Sequence, residues 1–358
     1  MLLSPLAAGQ SVSVAVQNQL AAHLLSDSRR AYAFGITDEN VSARVAARLQ
    51  YYQTIYPTLE QFCQQELGWS GCPADLLWDL WLPLAEQLVN WRQRLGRPLI
   101  QGILGGQGTG KTTLTRILSP ILTQMGCPVC RLSIDDLYKP YAERLQLQQQ
   151  DPRFRWRGPP GTHDVNLGLA VLRQLRQPDL TQPVAVPRFD KSAYDGAGDR
   201  TQPEWVIGAE IVLFEGWFVG VRPIEPTAFD DAPPPIVNDA DRAFARAVNE
   251  RLRDYLPLWD QLDRLILLHP QDYRLSQQWR WQAEQQMMAS GRAGMDAAEV
   301  NAFVEYFWRA LHPDLFITPL LQDAEHVDLV IELDVNHQPQ AIYCPESSSS
   351  FGGVQTLH

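Results

Sequence analysis

The sequence of 358 residues predicts an α/β protein: a doubly wound parallel sheet flanked by helices, preceded by an α-helical N-terminal region. Two textures and one motif carry that prediction. Across residues 11–95 apolar side chains recur at helical spacing, and after Arg97-Pro98 short apolar runs alternate with amphipathic stretches. Between the first such run and the first such stretch lies a G-x-x-x-x-G-K-[ST] loop, which makes the sheet one of the P-loop NTPase type.

Composition sets the bounds. At 45% hydrophobic and 20% charged residues the chain is globular, and its length suits roughly two bodies. The expected division is a helical region over 1–96, a P-loop domain over 97–345 and a disordered polar tail over 346–358. With 30 basic against 41 acidic residues the net charge is -11, so neither a nucleic acid nor an anionic membrane is expected as partner. An anionic ligand must be drawn in by a local cluster. No apolar run approaches the ~20 residues that span a bilayer, and residues 1–22 contain neither a basic start nor any Arg or Lys. Five cysteines, odd in number and sparse, argue against a disulfide scaffold and for a reducing cytoplasm. Cys127 and Cys130 have redox or zinc spacing without a second pair, and two strand-edge thiols is the simpler reading. Oligomeric state is left open.

The elements follow in order. Val16, Leu20, Leu24 and Leu25, then Val41, Val45 and Leu49, then Leu77, Leu80, Leu84 and Leu88 each mark a helical face. Gly35, Pro57, residues 68–73 and Gly96 punctuate them. Trp78, Trp81 and Trp91 lie on the same stripe and read as packing groups. Strands are expected at 99–104, 129–134, 211–214 and 265–268, with a last one at 327–333 before the polar tail. Residues 223–235, rich in Pro and Asp, read as an exposed loop.

Gly105, Gly106, Gln107, Gly108, Thr109, Gly110, Lys111, Thr112 and Thr113 form the loop, directly after Leu104 and before the amphipathic run Leu114, Ile117, Leu118 and Ile121. A chance glycine-rich turn lacks that strand-loop-helix context. The glycines let backbone N–H groups wrap phosphates, Lys111 reaches the β- and γ-phosphates of ATP, and the Thr112 hydroxyl suits Mg²⁺. Lysine is otherwise found only at Lys139 and Lys191, in a chain whose default cation is arginine.

The second strand runs into Asp135 and Asp136, two carboxylates at the sheet edge beside the loop. One can accept the proton of an attacking hydroxyl while the other caps the following turn, and Asp135 is the expected base. Glu215 ends an apolar strand, as a Walker B acid does, and would serve magnesium with Thr112. Two polar segments, one holding Arg157, His163 and Asp164, the other Arg188, Asp190, Lys191 and Arg200, supply local charge suited to a small carboxylate or phosphate. Arg274 and Arg280 follow the strand ending at His269, where a lid would close over phosphates. Taken singly, each of these charges is equally at home on a solvated loop or helix.

The motifs GGQGTGKTT, SIDDLY, RGPPGTHDV, PRFDKSAYDGAGDR, VLFEGW and the stretch near Trp279 resemble the D-glycerate 3-kinase family, across residues 98–343. GTHDV and FDKSAYDGAGDR are the specific parts. The resemblance implies transfer of the ATP γ-phosphate to the 3-hydroxyl of D-glycerate, a photorespiratory step, with Asp135 as the base; Lys111, from the loop, and Arg280, from the lid reading, are the other expected catalytic residues. It implies that residues 105–113 bind ATP, that Thr112 and Glu215 serve Mg²⁺, and that Asp136, Tyr138, Arg157, His163, Asp164, Arg188, Asp190, Lys191 and Arg200 lie in the acceptor region. The rival readings are a related kinase acting on pantothenate, a nucleoside or a sugar phosphate, and an ATP-dependent regulatory binding protein.

Overall fold

The computed structural model describes residues 12–177, 182–289 and 294–346. The tail expected to be disordered lies, from residue 347 on, outside them.

The N-terminal helices form where caps and apolar stripes coincide. Helix α1 (Val14–Ser26) starts at Ser13, whose hydroxyl accepts the Val16 N–H, and buries Leu20 and Leu24. Asp27 caps α2 (Ser28–Ala33) in the same way. Helix α3 (Val41–Glu66) corrects one expectation, because it runs straight through Pro57. An interior proline costs about 3 kcal/mol, but here Ile55, Leu59 and Cys63, at most 2% exposed, lie on the stripe around it and their burial outweighs the loss. Helix α4 (Leu82–Leu95) is entered through a π turn at Leu77–Trp81 and stops at Gly96, whose φ of 63° provides a left-handed cap. Trp78 and Trp81 are buried.

After Gly96 the chain builds a six-stranded sheet from β1 (Leu99–Gly105), β2 (Val129–Ser133), β5 (Ile211–Gly216), β6 (Arg264–Pro270), β7 (Leu329–Leu333) and β8 (Pro339–Tyr343). Its order is β2-β5-β1-β6-β7-β8. The first five are parallel, as predicted, and β1 and β5 are buried along their whole length, the signature of strands covered on both faces. Strand β8 corrects the expectation that the strand ending at residue 333 is the last one, since it folds back antiparallel on β7. Its alternation is too short to stand out from a polar surrounding.

Alternate side chains of β1 point to two apolar layers. Leu99 and Ile103 pack with α5 (Lys111–Gln124) and with the N-terminal helices, while Ile100 and Leu104 face the opposite layer. The helices before Gly96 therefore share one core with the sheet. Residues 223–235 form the expected loop, exposed or part-exposed except at Phe229. They hold a short 3-10 turn at Pro226–Phe229 that drives Phe229 into the second layer, fully buried, with Ile236 beside it at 1% exposure. Apolar residues spaced that widely leave no periodic trace.

Strands β3 (Val184–Asp190) and β4 (Asp199–Val206) form a separate antiparallel ribbon, an arm whose tip is residues 191–198. The charge of this polar segment is that of a ribbon lying largely outside the core.

Candidate active site

The site collects at the carboxyl ends of β1, β2 and β5. In the ladders Glu215 stands beside Ile103 on one side and Ser133 on the other, so the ends of three strands deliver the phosphate loop, Glu215 and the Asp135 turn to one edge.

The loop is shaped by its glycines. Gly108 and Gly110 have φ of 78° and 84°, in the region open to glycine. At Gly108 a side chain is doubly excluded, because a Cβ there would lie 2.7 Å from the Trp279 Cβ. Trp279 belongs to α9 (Leu275–Ala289; α6 is Tyr141–Gln150, α7 Val165–Leu175 and α8 Asp239–Arg251). His337, in the β7–β8 turn, stacks on Trp279 at 4.1 Å and lies with Nε2 2.8 Å from the Gly108 carbonyl. Within the loop Lys111 Nζ donates to the Gly106 carbonyl at 2.7 Å and Thr109 Oγ1 to the same oxygen at 2.9 Å. Burial lowers the Lys111 pKa, against the fields of Glu215 and Asp135.

Thr112 Oγ1 donates to Glu215 Oε1 at 2.8 Å, and Glu215 is 8% exposed. A hydroxyl and a buried carboxylate in contact form the hard-oxygen set that suits Mg²⁺.

The two adjacent carboxylates are divided by their surroundings. Asp136 Oδ2 accepts the Ser133 N–H at 3.0 Å and Arg188 Nη1 at 3.1 Å, completing a capping box on the turn Ile134–Leu137. Burial raises its pKa. Asp135 instead accepts Tyr138 Oη on Oδ1 at 2.8 Å and Lys191 Nζ, from the arm, on Oδ2 at 2.7 Å. Burial pulls its pKa upward, but the Lys191 ammonium and the Tyr138 hydroxyl together outweigh it and the net shift is downward. Asp135 is thus an ionised carboxylate, near enough to the loop for its charge to act on Lys111.

The remaining predicted residues separate into two groups. His163 is brought beside Tyr138, stacked at 4.5 Å. Arg157 Nη1 donates to the Gly196 and Ala197 carbonyls at 2.7 and 3.0 Å, closing the arm tip onto the Arg157 loop. The other polar residues are ties. Arg188 spans Asp136, Glu204 and the Arg131 carbonyl. Arg200 joins the Tyr138 carbonyl to Asp164, which itself caps α7 through the Leu167 N–H. Asp190 accepts the Ser192 backbone and hydroxyl in an exposed turn. Arg280 pairs with Glu284 and lies over the Phe303 ring at 5.2 Å, so its contacts join α9 to α10 (Ala297–Ala310); Arg274 likewise turns to Asp272. The neighbour Trp279, not Arg280, is what α9 sets against the phosphate loop. His337 and Tyr255, which also reach the site, lie outside any motif and carry no signal in the sequence.

A cleft of about 300 Å³ opens among Tyr141, Arg144, Phe154, Trp156, Arg157 and Thr162. It reaches the acceptor region through Arg157 and Thr162, and none of Lys111, Thr112, Asp135 and Glu215 lines it. A narrower apolar pocket lies against the loop itself, bounded by Gln107, Trp217, Phe218, Tyr273 and Phe307. Among the described residues no cluster of His, Cys, Asp and Glu could hold a metal by itself, and no helix is long and apolar enough to cross a membrane. Cys127 and Cys130 are buried, and burial pushes the Cys130 thiol up to about 12.

No family model matches the chain. It is 32% identical over 259 residues to an uncharacterized kinase of Schizosaccharomyces pombe, covering 69% of this chain and 92% of the relative. It is 33% identical over 257 residues to the chloroplastic D-glycerate 3-kinase of Arabidopsis thaliana, covering 68% of this chain and 54% of the relative. The chain thus spans about half the length of the Arabidopsis protein. Among solved structures a D-glycerate 3-kinase from Cryptococcus neoformans superimposes with a TM-score of 0.67 at 26% identity, over 74% of this chain and 98% of that one.

Proposed function

We propose that this chain, which belongs to the D-glycerate 3-kinase family of P-loop kinases, transfers the γ-phosphate of ATP to the 3-hydroxyl of D-glycerate. The observation that carries the reading is the pairing of the phosphate loop with one ionised carboxylate that is not spent on a helix cap. Asp135 is held by Lys191 and Tyr138 while Asp136 is consumed by the turn and Arg188. The loop backbone and Lys111 bind the triphosphate, and Asp135 takes the proton of the attacking hydroxyl. Thr112 and Glu215 fit Mg²⁺, which neutralises charge on the phosphate oxygens when bound. Catalysis is then mostly positioning and electrostatics.

A small acid suits the acceptor side better than a nucleoside. The cations near it, Arg157 and Lys191, come from polar segments of the arm and of its docking loop, and the 300 Å³ cleft has arginines on its wall. ADP production with Mg-ATP and a panel of D-glycerate, L-glycerate, pantothenate, uridine and ribulose 5-phosphate, with product mass, tests the assignment. Stimulation by D-glycerate alone, giving 3-phosphoglycerate, is expected. Activity on another acceptor only would overturn the substrate and keep the kinase.

The contact of Gly108 with Trp279 predicts a defect confined to ATP. Gly108→Ala places a methyl into the Trp279 Cβ at a φ costly for any other residue. The ATP KM is expected to rise about tenfold, one step of 1.4 kcal/mol, with the acceptor KM little changed. Steady-state kinetics with each substrate varied in turn checks this.

A further inference from the structure

His163 lies 3% exposed in a cage of aromatic rings: Tyr138 stacked at 4.5 Å, Phe218 at 5.5 Å, and Tyr255 edge-on at 5.8 Å. Its Nδ1 sits 2.8 Å from the Tyr255 hydroxyl. That hydroxyl also accepts the Gly161 N–H at 2.8 Å. Tyr255 is 1% exposed, so its single phenolic proton must find an acceptor inside the protein. With the Gly161 and His163 backbone N–H groups both directed at that oxygen, the one acceptor against it is His163 Nδ1, and the phenolic proton is satisfied only if Nδ1 accepts it. The opposite arrangement, Nδ1–H donating to the phenol oxygen, strands a buried O–H.

The consequence falls on the other ring nitrogen. With Nδ1 an acceptor, the neutral imidazole carries its proton on Nε2. Nε2 is buried and has no hydrogen-bond partner among the described residues. Burial drives the His163 pKa down to about 3 against the field of Asp135, so the ring remains neutral at any ordinary pH. Tyr138 bridges the two groups, since its ring stacks on His163 and its hydroxyl holds Asp135. The chain on either side is pinned as well: Lys139 N donates to the Thr162 carbonyl at 3.0 Å and Asp164 N to the Leu137 carbonyl at 2.7 Å. The segments that carry Tyr138 and His163 are thus tied backbone to backbone.

Resting on the glycerate-kinase reading, we propose that His163 Nε2–H is a fixed neutral donor for a non-reacting oxygen of the acceptor, a small hydroxycarboxylate, and that Tyr255 is a positioning residue that sets the tautomer. The division of labour is chemical. A neutral Nε2–H cannot take a proton, so the reacting hydroxyl gives its own to Asp135, while His163 grips a carboxylate or second hydroxyl oxygen and orients the molecule. It follows that an acceptor lacking that oxygen leaves a buried N–H unpaired and is discriminated against by about 10- to 100-fold.

Two measurements on the full chain test this. In wild-type protein with ¹⁵N-labelled histidine, long-range ¹H–¹⁵N correlation is expected to show His163 as the Nε2–H tautomer from pH 5 to 8, and Tyr255→Phe to mix the two tautomers. A wild-type Nδ1–H tautomer, or an imidazolium titrating in that range, overturns the proposal whatever the acceptor is. In kinetics, His163→Ala is expected to raise the acceptor KM at least about tenfold with the ATP KM unchanged, and His163→Gln, whose amide N–H replaces Nε2–H, to recover most of it. An unchanged acceptor KM in the alanine variant overturns the substrate contact. Should wild-type protein ignore D-glycerate, that reading alone fails; the tautomer result stands by itself, and the KM comparison is made on the acceptor that the panel identifies.

Discussion

Lys111→Ala is expected to lower kcat by about 10³-fold or more, the scale of losing a cation on the transferring phosphoryl group. Lys111 sits at the N-terminus of α5 with its ammonium on the Gly106 carbonyl, inside the loop it serves. Its hydrogen bond there is local and α5 is anchored by Leu114, Ile117, Leu118 and Ile121 in the core, so the fold survives the change. Single-turnover transfer of labelled phosphate, beside a thermal melt, checks both halves. Wild-type turnover in a folded Lys111→Ala protein would remove the phosphate loop from the mechanism.

Asp135→Asn is expected to cost about 10² to 10⁴ in kcat, the range for a general base, with the ATP KM changed by no more than about twofold. Asp136→Asn separates the two carboxylates. Its side chain holds the Ser133 N–H and Arg188, and an Asn oxygen can still accept both, so the lost charge should appear as about 0.2–1 kcal/mol of stability, with a smaller effect on turnover. The reverse pattern would move the base to Asp136. The pH profile carries the same distinction. Asp135 must be ionised to act, and Lys191 with Tyr138 holds its pKa below the ordinary carboxylate range despite burial. Activity is therefore retained as pH falls through the ordinary carboxylate range and is lost only below it. Lys191→Met removes the ammonium and leaves only the Tyr138 hydroxyl against burial, so the acid limb of kcat moves to higher pH. A limb that stays in place would mean that Lys191 does not set the charge of Asp135.

How much of this could be read in the sequence follows from how local each feature is. The phosphate loop was legible because strand, glycines and helix are contiguous, and each residue type answers a backbone requirement within nine positions. The parallel sheet was legible for the same reason, as alternating runs of apolar residues. Strand β8 and the ribbon β3–β4 were not. They are edge elements whose burial alternates weakly, and Phe229 reaches the core from a run that reads as exposed turn.

The sequence by itself determined the loop, the strand-end acids and the family these motifs resemble, because those depend on residues adjacent along the chain. Tertiary structure alone decided which carboxylate is spent on the cap and which is held ionised by the arm. Arg188 and Lys191 arrive on one arm from more than fifty residues away, one claiming Asp136 and the other Asp135. It likewise set Trp279 and His337 against Gly108 and placed the Tyr255 hydroxyl on His163. Contacts between such distant residues are fixed by packing and by the need to satisfy buried polar atoms, and neither constraint leaves a periodic mark on the sequence.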